Sequence, residues 1–365
     1  MYISLRLFTE KFINFGSQLL RTYQELLLFM DSVNLKRLAK ELNLAISTVS
    51  RALRDSHEIK QETKDRVKLL AAQLGFQPNP FASSLRQNKS KTIAVIIPEI
   101  QNNFFAQVMS GIEEIAREKE YHVLIYLTHE DAIREREIIN LLRNGRVDGI
   151  MISVSNTTAS FEHLKACQDS GMPLVFFDRV CENIKAPRIT TDDAEVAFKA
   201  TSLLIKKGCK KIAFLSMSSN LSISNRRKTG YEKALKKYDV AQNGITLECS
   251  PDDDSNRQKI RELLKSAEKP DGIFAAVEKF AFNTYEVCNE IKIRIPEQLK
   301  VISFSNLSAS ALFDPPLSTV VQPAYEIGKE AALVLFKVIE KKVLLAKENK
   351  MTVPSYIVER KSTLK

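Results

Sequence analysis

Few of the features that mark an enzyme or an exported protein are present in this chain of 365 residues. No G-x-G-x-x-G, P-loop, H-E-x-x-H or G-x-S-x-G pattern occurs. We therefore expect no catalytic residue, no metal site and no cofactor. The histidines lie far apart in sequence, and we predict surface or strand-edge positions for all of them: His57, His122, His129 and His163.

Paired cysteines and long apolar runs are also lacking. The cysteines are odd in number, form no C-x-x-C pair and mostly lie in or beside apolar segments: Cys167, Cys181, Cys209, Cys249 and Cys288. This usage is typical of reduced thiols in a cytoplasmic protein and argues against a disulfide framework. No run approaches the length of a transmembrane helix, so we expect no membrane partner.

Positive charge is present, and it is unevenly distributed. The net charge is +10, and residues 33–91 alone hold 12 lysines and arginines against 5 acidic residues. A concentration of this kind indicates a polyanionic partner such as nucleic acid. Charge alone leaves open a merely solvated basic surface.

The segment LKRLAKELNLAISTVSRAL, Leu35 to Leu53, predicts two short helices joined by a tight turn. The first covers Lys36–Leu42, and the second covers Ser47–Leu53 with Val49 and Ala52 facing inward. The outward face of the second helix is rich in hydroxyl groups and carries a cation, which suits a helix that enters the major groove of DNA.

The neighbouring segments extend this helix-turn-helix into a larger module. A third helix over Lys60–Leu74 would complete an all-α domain over residues 33–78. Residues 79–91 predict a hinge helix and linker, because residues 80–86 allow barely two helical turns and such a helix is marginal alone. Residues 1–32 predict an extension; either translation starts at Met30, or residues 1–29 form an amphipathic helix that packs on the module.

From Thr92 onward, apolar segments alternate with amphipathic ones, which is typical of α/β architecture with parallel sheets. The predicted strands are Ile93–Pro98, Val123–Thr128, Gly149–Val154, Pro173–Asp178, Lys211–Met217, Ile245–Cys249, Gly272–Val277 and Leu299–Ser305. The predicted helices between them are Asn103–Lys119, Ala132–Asn144, Ala194–Lys207, Ser222–Lys237, Ser255–Ala267 and Phe280–Ile291. A last helix from Pro323 to about Val343 and a strand near Tyr356–Arg360 follow.

This strand count predicts two lobes within residues 92–365, with a ligand cleft at the carboxyl ends of the strands. The N-lobe is expected to comprise about residues 92–190 and 323–345. The C-lobe is expected to comprise about residues 191–322 and 346–365.

The chain from Val33 to Lys365 resembles the lactose-repressor/purine-repressor (LacI/GalR) family of bacterial transcription regulators. The segments that carry the resemblance are Thr48–Leu53 (TVSRAL), Glu62–Val67 (ETKDRV), Phe76–Asn79 (FQPN), Asn102–Phe105 and Phe177–Arg179. The resemblance implies a λ-repressor-like DNA reader, a hinge and a two-lobed sensor like the periplasmic sugar-binding proteins. It further implies a homodimer on a near-palindromic double-stranded DNA operator, controlled by a small-molecule effector that we expect to be a carbohydrate.

The resemblance assigns DNA contacts to three sets of residues. Base reading falls to Ile46, Ser47 and Arg51, and phosphate contacts fall to Thr48 and Ser50. In and beside the hinge, DNA contacts fall to Asn79, Ser84, Arg86 and Leu85, which is the expected wedge in the minor groove. Burial against the sensor is the alternative for Leu85. One departure lies at Ala45, where the family places a Ser that caps the second helix. Simple surface polarity is the alternative for Thr48 and Ser50.

The resemblance also assigns the residues of the ligand cleft. They are Asn102, Phe104, Phe105, Asp178, Arg179, Arg227, Ser305 and Gln322. Aromatic rings and charged hydrogen-bonding groups suit a sugar. Two departures weaken that assignment, because Ser305 stands where the family has Asp and Val277-Glu278 stands where it has Asn-Asp. A phosphorylated or uncommon sugar, another compound or no ligand at all therefore stays open.

Three other functions were weighed against a DNA-binding regulator. An enzyme lacks support because the motifs of catalysis are missing. A periplasmic ligand-binding protein would need an export signal and has no use for a helix-turn-helix. A regulator whose sensor only dimerises is kept open by the departures at Ser305 and Val277.

Overall fold

The computed structural model describes residues 34–76 and 89–364. The chain divides into two units, residues 1–83 and 84–365, which are described separately. The predicted extension (residues 1–32) and the hinge helix (residues 80–86) lie outside the described residues. No helix in the described part of the chain is long and apolar enough to cross a lipid bilayer.

Three helices form the described part of the first unit, and each lies within one residue of its predicted bounds at either end. They are α1 (Leu35–Leu42), α2 (Ile46–Leu53) and α3 (Gln61–Gln73). The side chain of Asn34 caps the start of α1, and Asn43 ends it in the left-handed conformation, with φ of 53°. Such a residue closes a helix and turns the chain toward the next one. The helices pack around a small core that includes Leu38 and Val49.

The N-lobe of the second unit contains a six-stranded sheet in the order β11-β5-β4-β3-β1-β2. All of its pairings are parallel. The strands are β1 (Thr92–Ile97), β2 (His122–Leu127), β3 (Gly149–Ile152), β4 (Leu174–Phe177), β5 (Arg188–Thr191) and β11 (Lys350–Val353). The helices of this lobe are α4 (Asn103–Glu118), α5 (Ala132–Leu142), α6 (Glu162–Asp169), α11 (Ala324–Ile339) and the short α12 (Ala346–Asn349).

The C-lobe contains a second six-stranded sheet in the order β12-β10-β9-β8-β6-β7. Its strands are β6 (Ile212–Ser216), β7 (Gly244–Glu248), β8 (Gly272–Ala275), β9 (Lys300–Phe304), β10 (Ser318–Val321) and β12 (Tyr356–Val358), and β12 pairs antiparallel. The helices are α7 (Asp193–Lys206), α8 (Ser222–Lys237), α9 (Asp253–Lys265) and α10 (Glu278–Ile291). Short 3₁₀ turns cover Ala241–Asn243 and Ser308–Leu312.

Burial explains why the central strands are continuous apolar runs. In β1, TIAVII, every residue after Thr92 is buried, because helices cover both faces of the sheet. Sheets buried on both sides have this composition, whereas a half-exposed sheet alternates polar and apolar residues. The helices cross tightly in the N-lobe: a Cβ on Gly328 of α11 would lie 2.1 Å from the carbonyl oxygen of Val108 on α4.

The structure corrects the predicted lobe boundary. Residues 346–365 were assigned to the C-lobe, but β11 pairs in parallel with β5 of the N-lobe, with Lys350 opposite Arg188. The chain therefore returns to the N-lobe before it ends in β12. Strands β5, β10 and β11 and helix α6 were also not predicted, because they are short and contain many polar residues.

The predicted surface position of His163 is wrong. This residue lies on α6 and is buried, with Nε2 2.8 Å from Oε1 of the fully buried Glu135 on α5. Glu135 also accepts hydrogen bonds from the backbone N–H of Ser155 and the hydroxyl of Thr158. The pair thus joins α5, α6 and the loop after β3. The other three histidines, His57, His122 and His129, are exposed as predicted.

Candidate DNA-reading helix and ligand cleft

The outer face of α2 presents the predicted base-reading residues to solvent. Ile46 is 45% exposed, and Ser47 and Arg51 are exposed as well. Thr48 and Ser50 are half-buried, at the border between this face and the core. One short helix therefore brings all five together, while Asn79, Ser84, Leu85 and Arg86 lie outside the described residues.

Two polar groups of this face already have partners within the first unit. The guanidinium of Arg51 lies 2.9 Å from a carboxylate oxygen of Glu58, which lies between α2 and α3. Arg54 donates to the hydroxyl of Ser50 at 3.1 Å and to its backbone carbonyl at 3.0 Å. A contact of Arg51 or Ser50 with DNA would compete with these contacts inside the protein. Sequence reasoning missed Arg54, which directly follows the segment Thr48–Leu53, and Glu58, which lies in the loop after it.

The start of α2 lacks a side-chain cap. Ala45 occupies the N-cap position with extended backbone angles, and no side chain there accepts a hydrogen bond from the first turn. The departure seen in the sequence therefore leaves the first turn of α2 without a side-chain cap. The backbone carbonyl of Ala45 still accepts the N–H of Val49 at 3.1 Å.

All eight predicted ligand residues line one cavity between the two lobes. They come from segments that follow β1, β4, β9 and β10 and from helices α4 and α8. The residues that complete the lining are Ile223, Val277, Glu278, Phe304 and Asn306. The cavity holds about 30 Å³, which is room for about one water molecule. A monosaccharide is larger than this space.

The N-lobe side of the cavity combines aromatic rings with a buried acid. Asn102 caps α4 by accepting the N–H of Phe104, and the rings of Phe104 and Phe105 meet edge to face at 5.3 Å. Asp178 follows β4 with φ of 57° and is 5% exposed. Burial raises the pKa of Asp178, although Arg227 and Arg179 partly offset this effect.

The two arginines of the cavity are held by carboxylates that the sequence analysis did not single out. Arg179 donates from Nη1 to both carboxylate oxygens of Glu130, at 2.7 and 2.9 Å. Arg227 is 2% exposed and donates from Nε to Asp193 at 2.7 Å. Its guanidinium also stacks 3.6 Å from the ring centre of Phe304. Arg227 is thus an anchored part of the wall.

Ser305 and Glu278 form a pair on the C-lobe side. The hydroxyl of Ser305 donates to the carboxylate of Glu278 at 2.7 Å. Burial raises the pKa of Glu278; hydrogen bonds of Ser305 and Asn103 partly offset this effect, and the charge of Glu99 adds to it. The carboxylate that seemed lost at Ser305 is therefore present in the cavity, supplied by Glu278 at the start of α10. Both residues were visible in the sequence, but their pairing was not, because Glu278 and Ser305 are far apart along the chain.

Hydrogen bonds join the lobes across the cleft. Gln107 on α4 exchanges two hydrogen bonds with Asn306, at 2.9 and 3.3 Å. Gln322 donates to the hydroxyl of Thr191 at 3.4 Å. Near the crossover from β5, the hydroxyl of Ser222 accepts the N–H of Val180 at 3.2 Å. These contacts link the two lobes in this structure.

Family models cover nearly the whole of the described chain. The model for bacterial regulatory proteins of the lacI family matches residues 34–79. The model for periplasmic binding proteins and the sugar-binding domain of the LacI family matches residues 90–358. The two matches coincide with the helical unit and the two-lobed unit.

Individual proteins show the same likeness. Catabolite control protein A of Priestia megaterium is 31% identical over 330 residues, which span 90% of this chain and 96% of that protein. A LacI family regulator from Enterococcus faecium, solved with bound ribose, is 26% identical with a TM-score of 0.66 and covers 75% of this chain and 98% of its own. The lac repressor dimer, solved on its operator with an anti-inducer, is 20% identical with a TM-score of 0.81 over 92% of this chain and all of its own. The chain belongs to the LacI family of bacterial regulatory proteins and is a DNA-binding regulator of transcription, not an enzyme.

Proposed function

We propose that this protein represses transcription by binding a near-palindromic operator as a homodimer, and that a small polyhydroxy effector in the cleft controls its affinity. The observation that carries this proposal is the exposed face of α2, where Ile46, Ser47 and Arg51 lie together. A short helix with such a face fits the major groove and reaches base edges from its first turns. Because the protein acts on chromosomal DNA, we place it in the cytoplasm, at the nucleoid.

The proposed contacts divide between reading and positioning. Arg51 can donate two hydrogen bonds to a guanine, and Ile46 can contact a thymine methyl group. Thr48 and Ser50 would donate to phosphates, which fixes the register of the helix without reading bases. The hinge contacts through Asn79, Ser84, Leu85 and Arg86 remain predictions from the resemblance.

Dimerisation is supported by unpartnered apolar side chains on the N-lobe. Leu124 and Ile125 in the edge strand β2 are 41% and 44% exposed, and Ile133 on α5 is 59% exposed. A second copy would cover them, and two-fold symmetry would place two readers on two half-sites. A dimer of the lac repressor bound to its operator has been solved, and its fold is similar.

Effector control would operate through the spacing of the lobes. A ligand shifts the equilibrium only by its different affinity for the open and closed arrangements, commonly by about 1–3 kcal/mol. The hydrogen bonds of Gln107 with Asn306 would have to break if the lobes moved apart, so opening would have a cost. The same observation favours a second candidate, a regulator whose sensor only dimerises.

In-vitro selection from random duplex DNA by the full-length protein tests the first part of this proposal. We expect the recovered sequences to share a two-fold symmetric site. Enrichment of an unsymmetrical half-site would contradict the dimeric reader. Operator affinity is then measured with a library of sugars and other polyols, and complete indifference to all of them would favour the sensor that only dimerises.

A further inference from the structure

The cations that line the cleft are already neutralised by protein carboxylates. Arg179 and Arg227 are 6% and 2% exposed, and each forms a short ion pair, with Glu130 and Asp193 respectively. If a ligand drew either guanidinium away, Glu130 or Asp193 would be left without its cation, in or beside the protein interior. Breaking a buried pair on one side is strongly unfavourable.

Two carboxylates face the same cavity without a short ion pair of this kind. Among the described residues, no lysine or arginine nitrogen lies within 4.0 Å of the carboxylate of Glu278, which accepts a hydrogen bond from Ser305. The nearest cationic nitrogen to Asp178 is Nε of Arg179, at 4.0 Å. Asp178 belongs to the N-lobe and Glu278 to the C-lobe, so both lobes offer an acceptor to whatever lies between them.

The mouth of the cleft has the same character. It adjoins the cavity through Asn102, Arg179 and Glu278 and encloses about 790 Å³. Apart from Arg179, its cations are Arg257 and Lys279, which pair with Glu286 at 2.9 Å and Asp253 at 3.2 Å. An incoming ligand therefore meets cations at the mouth that are already paired with carboxylates.

One buried donor in the cavity has no partner among the described residues. Nε of Arg179 is inaccessible to solvent and forms no hydrogen bond in this structure. A buried donor without an acceptor is unfavourable. A ligand oxygen next to Asp178 would satisfy it, and the same hydroxyl group could donate its proton to Asp178.

We propose that the cleft accepts polyhydroxy ligands without negative charge and prefers one that carries an amine, with Glu278 as the residue that sets this preference. This inference rests on the proposed effector function of the cleft. Hydroxyl and ammonium groups donate to carboxylates, and a charged donor forms the stronger bond. A phosphate ester would meet Asp178 and Glu278, whereas the described cations of the cavity and its mouth are already paired with carboxylates.

Matched sets of ligands test the proposal on the full-length protein by calorimetry. Each set contains a hexose, the corresponding hexosamine and the hexose phosphorylated on its terminal carbon, for glucose, galactose and mannose. We expect the best hexosamine to bind about tenfold more tightly than its parent hexose, as a charge-assisted hydrogen bond allows, and the phosphates not to bind.

Glu278→Gln should remove the advantage of the amine and leave the affinity for the parent hexose within about threefold. The variant keeps an oxygen that can accept the hydrogen bond of Ser305. Glu248→Gln is the matched control, because Glu248 lines only the mouth and should leave the preference unchanged.

The outcomes separate the two proposals. If a hexose phosphate binds more tightly than its parent hexose, the charge preference is wrong but the effector function still holds. This test needs only the wild-type protein. An amine preference that persists in Glu278→Gln would overturn the role of that residue. If no member of any set binds, the polyol effector itself fails, and the charge preference fails with it.

Discussion

The ion pair between Arg51 and Glu58 allows a quantitative prediction about operator binding. Both side chains are about half exposed, at 54% and 52%, and exposed pairs contribute about 0.2–1 kcal/mol. A bidentate contact between arginine and guanine contributes about 1–3 kcal/mol of discrimination. Exchanging the first contact for the second leaves a net gain of about 1–2 kcal/mol per half-site, or about 5- to 30-fold in affinity.

Two substitutions separate these contributions. Arg51→Ala should lose about 5- to 30-fold per half-site on the preferred operator and little on operators already changed at the base it reads. Glu58→Gln frees Arg51 and removes a negative charge near the DNA, so affinity should rise by about two- to fivefold per half-site. Fluorescence anisotropy with the selected operator and its single-base variants measures both effects.

Arg37→Ala is the matched control, because Arg37 forms a comparable exposed pair with Glu41, at 3.1 Å on α1. It should not alter the ranking of the operator variants. If Arg51→Ala lowers the affinity for every operator by the same factor, Arg51 does not read a base and makes only a phosphate contact. Weaker binding by Glu58→Gln would show that Glu58 orients Arg51 for DNA and does not compete with DNA for it.

Three further substitutions test stability. Ala45→Ser should stabilise the first unit by about 1 kcal/mol, because a hydroxyl can accept a free N–H at the start of α2; hydrogen exchange of the α2 amides measures it. Gly328→Ala should lower the free energy of unfolding in urea by about 1–3 kcal/mol, since its Cβ would lie 2.1 Å from the backbone oxygen of Val108. Asp178→Asn should raise the melting temperature of the ligand-free protein at neutral pH. Because burial raises the pKa of Asp178, the folded wild-type protein loses stability as pH rises through that pKa, and the difference should vanish below the ordinary pKa of Asp.

Each of these variants has a control at an exposed position. Ala72→Ser places the same residue within α3, where it should not protect α2. Ser110→Ala lies on the exposed face of α4 and should change stability by less than about 0.5 kcal/mol. Asp169→Asn on α6 should leave the pH dependence unchanged. Equal behaviour of a variant and its control would count against the stated cause.

The elements that could be predicted from the sequence are those whose pattern is local. The helix Ser222–Lys237 matches its predicted bounds at both ends, and the apolar run of β1 predicts its strand within one residue at either end. The strands RITT (β5) and KMTV (β11) have too few apolar residues for such a pattern. They form because of pairing partners elsewhere in the chain, which a local pattern does not contain.

The same distinction applies to the cleft. Asn102 and Asp178 follow predicted strands, so their meeting could be predicted once parallel sheets were inferred. Gln322 follows β10, which the sequence pattern did not predict. The roles of Glu278 and Glu130 could not, because they depend on single contacts with Ser305 and Arg179 from other segments. Val277-Glu278 was interpreted as a loss of hydrogen-bonding groups, whereas the structure places the carboxylate of Glu278 in the cavity.

The late return of the chain to the N-lobe has a consequence for synthesis on the ribosome. Strand β11 pairs with β5, but Lys350 is made long after its partner Arg188. At about 5–20 residues per second, the edge of β5 waits roughly 10–30 s for its neighbour. During that interval the nascent N-lobe presents unpaired backbone groups, which can pair with other chains. The two lobes of this regulator are therefore expected to complete folding together, after translation has passed both of them.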